Sequence, residues 1–124
     1  MNTSLATRLA ATSGFLAVAL GAFGAHGLKT MLEAHGMVAV WQTGALYHLV
    51  HSVVLFALAQ RATVARLPFA LFGIGIILFS GSLYALAVTH VEKLGFVTPI
   101  GGLCLLGGWL ALVIKPAPPT AGEK

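Results

Sequence analysis

The chain has 124 residues, of which 58% are hydrophobic and 8% charged. So few charged side chains cannot clothe a water-soluble domain, in which about a quarter of residues carry charge. A soluble enzyme, a nucleic-acid-binding domain and a disordered chain are thereby excluded, leaving a small polytopic membrane protein. Its net charge of +4 comes from scattered lysines and arginines, with no basic cluster interleaved with aromatics, so no nucleic-acid partner is expected.

Four apolar runs, at about 9–25, 41–60, 68–88 and 96–114, contain no Asp, Glu, Lys or Arg. About 20 helical residues cross a ~30 Å hydrocarbon core. None of the runs alternates as a barrel strand would. The fold class expected is therefore all-α, an antiparallel four-helix transmembrane bundle forming one domain over 1–115.

The first run follows Arg8, as a signal peptide might be arranged, and Ala22-Phe23-Gly24 passes weakly as a cleavage site. It is read as a retained span. Ala10, Gly14, Ala17, Gly21 and Gly24 form a small-residue stripe along it, the device by which helices approach closely in lipid. In the loop that follows, Leu28, Met31, Leu32 and His35 share one face at helical spacing. A short interfacial helix ended by Gly36 is expected there, with a plain loop as the alternative.

Trp41 opens the second run and reads as an interface anchor. His48 and His51 share a helix face farther in. The third run carries Gly73, Gly81 and Ala85 on one face, and Ser80 and Ser82 suited to interhelical hydrogen bonds. In the fourth, Thr98 precedes Pro99 as an N-cap, and Gly101, Cys104, Gly108 and Ala111 form another stripe. The packing glycines are thus Gly14, Gly21, Gly24, Gly81, Gly101 and Gly108. Gly75, Gly102 and Gly107 fall off the stripes and suggest a second face for oligomerisation. Residues 116–124, rich in proline, read as a disordered cytoplasmic tail.

Arg8, Arg61, Arg66, Lys115 and Lys124 lie on one side of the bundle, while Lys29 and Lys93 on the other are balanced by Glu33 and Glu92. The positive-inside rule then places both termini in the cytoplasm. In that frame the polar residues gather in the outer half, where His26, Tyr47, His48, His51, Ser80, Ser82, Tyr84 and Thr98 form a candidate pocket. His26, His48, His51 and His90 are weak candidates for metal or haem ligation. A hydrogen-bonded structural role for the histidines is the competing reading, and the cofactor stays unknown.

Four segments then stand out together: Gly21-Ala-Phe-Gly-Ala-His26, Trp41-Gln-Thr-Gly44 with Tyr47 and His51, Leu78-Phe-Ser-Gly-Ser-Leu-Tyr84, and Phe96-Val-Thr-Pro-Ile-Gly-Gly102 with Gly108-Trp109. In this order they resemble the YgdD-like family of small bacterial inner-membrane proteins. The resemblance implies four spans and no established activity. It therefore assigns no catalytic residue.

Three functions remain open on the sequence. The first is a non-enzymatic protein that binds a membrane partner, a second copy or a complex, besides the lipid bilayer itself. The second is a small transporter or channel. It would lack the membrane carboxylate of small antiporters, since Glu33, Glu92 and Glu123 all lie outside the spans. The third is a metal- or haem-binding protein. No serine elbow, CxxC, phosphate loop or carboxylate pair supports an enzyme.

Overall fold

Asn2 starts the first helix by accepting a hydrogen bond from the Ser4 N–H at 2.7 Å, satisfying one of the amide donors orphaned at a helix start. Helix α1 then runs Thr3–Ala25, α2 Lys29–Ala34 and α3 Val38–Ala59. The third span is continuous but composite, with α4 (Arg66–Gly75), a π-helical segment (Ile76–Ser80) and α5 (Gly81–Thr89). A 3₁₀ turn (Glu92–Phe96) leads into α6 (Val97–Ile114). The structure, a computed structural model, describes residues 1–120 and Gly122.

Four helices of 22 to 24 residues are long and apolar enough to cross a membrane, and no strand is formed among the described residues. Phe15, Val113 and Phe96 stand more than 70% exposed on the outside of the bundle, surface that water would penalise and lipid tails accept.

The spans pack in chain order. α1 lies along α3, α3 along the third span, and the third span along α6. Ala6, Ala10, Leu55, Leu58, Phe69, Phe72 and Leu105 fill the interior toward the end that carries the termini. Leu32, Trp41 and Ala87 form a smaller core at the other end. The helix expected in the first loop is present as α2. Its Leu32 is 1% exposed against the bundle, while Lys29, Thr30 and Glu33 face outward, and Gly36 ends the turn at φ +65°.

Several local expectations change. Trp41 is 4% exposed, so it is no interface anchor: its indole N–H donates to the Leu20 carbonyl at 3.0 Å, over the notch left by Gly24. Thr98 does not cap α6, which begins at Val97 after Phe96; its hydroxyl is turned to Ser82 instead. Gly75, Gly102 and Gly107, read as a second face, lie against side chains of their own bundle, Leu105, Phe79 and Leu71, closely only at Gly75. Where a disordered tail is expected from Pro116, residues 116–120 run back along the α3–α4 connection, and Pro119 accepts a hydrogen bond from the Ala62 N–H at 3.0 Å. Proline leaves its carbonyl free for such a contact while supplying no donor. Glu123, Lys124 and the remainder of that tail, Gly122 apart, lie outside the described residues.

Candidate functional site

Along an apolar span, a lone hydroxyl or imidazole must find a partner, because lipid offers none. Here those partners lie on neighbouring spans. Ser52 donates to the His48 carbonyl at 2.7 Å, so the 2.6 Å contact between Ser13 and Ser52 has the Ser13 hydroxyl as donor, tying α1 to α3. Ser80 donates to the Gly44 carbonyl at 2.7 Å, and the Tyr84 hydroxyl meets His48 Nδ1 at 3.0 Å; both tie α3 to the third span. Ser82 donates to the Phe79 carbonyl at 2.9 Å and receives the Thr98 hydroxyl at 2.6 Å, tying the third span to α6.

His51 completes the set, one turn along α3 from His48. Its Nδ1 lies 2.7 Å from the Tyr47 carbonyl and therefore carries the hydrogen, leaving Nε2 to accept the Trp109 indole N–H at 3.1 Å. Both ring nitrogens are occupied. His48 and His51, though three residues apart, face different neighbours: Tyr84 for the first, Phe72 and Trp109 for the second.

The eight residues expected in one outer pocket therefore divide. His48, Ser80 and Tyr84 come together between α3 and the third span, Tyr47 joins His51 and Phe79, and Ser82 pairs with Thr98. His26 stands exposed at the end of α1, apart from all three groups. His90 instead meets His35 on the surface, with ring centroids 4.4 Å apart. Depth changes as well. α3 begins at Val38, so His48 stands about 15 Å along a helix of about 33 Å and His51 about 20 Å, at and beyond its midpoint. Among the described residues, no three His, Cys, Asp or Glu side chains gather where they could hold a metal ion.

Ser13 and Ser52 belong to the site although the sequence reading passes over them. The signal available was positional: each is a hydroxyl deep in a charge-free run, Ser13 beside Thr12 and Ser52 beside His51.

Above the His48–Tyr84 pair lies a lateral groove of about 500 Å³ between α1 and the third span. Leu9, Thr12, Ser13, Leu16 and Leu20 form one wall; Phe69, Gly73, Ile77, Gly81 and Tyr84 form the other; His48 and Leu55 of α3 make the floor. It runs through most of the bundle's depth and is almost wholly apolar in its walls. The π-helical segment aligns it, since Gly81 N–H bonds to the Ile76 carbonyl five residues back. Eight residues overshoot two α-helical turns but nearly close two when five of them follow the wider π turn, so Gly73 and Gly81 face the same way.

Bundle, lipid-compatible exterior and internally satisfied polar groups define a four-span integral membrane protein. The chain belongs to the family described as "Protein of unknown function (DUF423)", which it matches over residues 20–102. Among its relatives is "UPF0382 membrane protein YwdK" of Bacillus subtilis, 42% identical over 116 residues that cover 86% of this chain and 90% of the relative. A "UPF0382 membrane protein" of Haemophilus influenzae is 46% identical over 108 residues, covering 84% of this chain and 86% of that one. "UPF0382 inner membrane protein YgdD" of Escherichia coli is 42% identical over 110 residues, covering 85% and 83%. No solved structure matches the chain.

Proposed function

We propose that this protein is a non-enzymatic integral membrane protein that seats a transmembrane helix of another chain in the groove between α1 and the third span, with both termini in the cytoplasm. The observation that carries the reading is the groove wall. Gly73 and Gly81 open onto it, with no atom within 4 Å of the place a Cβ would occupy. Glycine inside a helix costs about 1 kcal/mol relative to alanine, and these two gain no packing inside this chain to offset it. In lipid, such small residues let a second backbone approach, and close packing is what drives helix association there. The occupant that fits is a helix with small and apolar residues on its facing side and a hydroxyl within reach of Thr12 or Tyr84. No reaction is asked of the buried hydroxyls and imidazoles, which are engaged in joining the spans. The inward orientation of the termini rests on Arg8, Arg61, Arg66 and Lys115 sharing one end.

Filling the groove tests this. Gly73→Leu and Gly81→Leu point into open space, so the doubly substituted protein is expected to melt within a few degrees of wild type in mild detergent. Extracted with its native lipid by an amphipathic polymer, wild type is expected to migrate as a complex heavier than one chain, and the leucine variant as a monomer. A monomeric wild type, or a leucine variant that keeps its complex, overturns the proposal.

A further inference from the structure

At the end of the bundle that carries the termini, a second cavity of about 520 Å³ opens between the start of α1 and the end of α3. Its lining is unlike that of the groove, with Thr3, Ser4, Thr7 and Arg8 from one side and Gln60 and Arg61 from the other. Gln60 Nε2 donates to the Thr7 hydroxyl at 3.4 Å, joining the two walls. Arg61 Nε is buried and has no hydrogen-bond partner, an uncommon condition for a guanidinium nitrogen. Arg66 and Lys115 add positive charge at the same end, while Glu33 and Glu92 lie at the other, in α2 and in the 3₁₀ turn. Among the described residues, then, these cations have no carboxylate to neutralise them.

We propose that this cleft binds a phosphate anion, supplied by the headgroup of an anionic phospholipid. Two guanidinium groups present fixed forks of N–H donors matched to phosphate oxygens, and the threonine and serine hydroxyls add neutral donors. Arg61 also lines a neighbouring cavity of about 410 Å³ between α3 and α6, walled by Val53, Ala57 and Leu112. A lipid whose phosphate meets Arg61 therefore has an apolar channel beside it for an acyl chain, which a free phosphate would leave unused.

The test is native mass spectrometry of the full chain in a neutral detergent, with phosphatidylglycerol, phosphatidylcholine or inorganic phosphate added. One phosphatidylglycerol per chain is expected to be retained in preference to phosphatidylcholine. Arg8→Gln and Arg61→Gln are each expected to reduce retention about fivefold, the weight of one cation near an anionic headgroup. Lys29→Gln at the opposite end is expected to leave it unchanged. If inorganic phosphate displaces phosphatidylglycerol in an Arg61-dependent way, the anion site stands and its source is soluble phosphate. Equal retention of the two lipids, or arginine variants that bind as wild type does, overturns the site.

Discussion

Replacing Gly101 by alanine is expected to destabilise the bundle by about 1–3 kcal/mol, the cost of forcing a methyl group into a filled space. The added Cβ would fall on the backbone nitrogen of Phe79, with the Leu78 carbonyl carbon and Phe79 Cα each at 2.7 Å. Backbone cannot swing aside as a side chain can, so α6 must move off the third span and loosen the Thr98–Ser82 hydrogen bond beside it. Gly102→Ala is the internal control. Its Cβ would stand 3.7 Å from the Phe79 ring, an ordinary contact, and alanine is the better helix former. Heating both variants in mild detergent and following the loss of helix by circular dichroism is expected to show a lowered midpoint for Gly101→Ala and none for Gly102→Ala. Equal midpoints would contradict the close approach of α6 to the third span.

Trp41→Ala is expected to have the larger effect, about 3–5 kcal/mol by comparison with aromatic truncations in other cores. Its indole fills the space over Gly24, touches Tyr84 with ring centroids 4.7 Å apart, and packs in the same core as Leu32. Lipid tails are as apolar as a protein interior, so the loss is one of packing and of the bond to the Leu20 carbonyl more than of transfer from water. Trp41→Phe separates these parts. It keeps a ring in the notch and gives up the N–H donor, for an expected cost of about 1 kcal/mol. Size-exclusion profiles after graded heating distinguish the two. An alanine variant as stable as the phenylalanine one would mean that α1 is held to α3 by something other than this side chain.

Four spans were legible in the sequence because four charge-free runs of the right length leave no other fold. Their ends were less so. Taking the charged residues as limits starts the first span after Arg8 and the third after Arg66, whereas both arginines lie inside helices, Arg8 in the second turn of α1 and Arg66 at the start of α4. A long cationic side chain can keep its stem along the helix while its head reaches water. Asn2, which sets the true start of α1, is a capping signal that hydropathy does not register.

Packing was readable in part. Gly24, Gly101 and Gly108 meet Trp41, Phe79 and Phe72 as a close-approach stripe should, whereas Gly21 on the stripe of Gly24, and Gly81 on that of the third span, face open space. Spacing says which glycines share a face; it does not say which neighbour covers that face. The same limit explains Trp41. Aromatic residues at the mouth of a span favour the interface in general, and the slot over Gly24 comes from a residue 17 positions earlier in the chain. Of the polar residues singled out, His48, His51, Ser80, Ser82, Tyr84 and Thr98 hydrogen-bond within the bundle, whereas His26 stands exposed at the end of α1. Their division among three seams follows from the direction of each side chain across the helices, and from a π-helical segment that no periodicity of 3.6 anticipates.

The most direct test of the account is site-specific photo-crosslinking in intact membranes, from a photoreactive residue at Gly81 in the groove and, separately, at Val113 on the far face of α6, which is 77% exposed. One discrete adduct is expected from position 81, heavier than this chain by the mass of a second polypeptide, and no such species from position 113. Lipid adducts alone at both positions, or the same protein adducts from both, would contradict it.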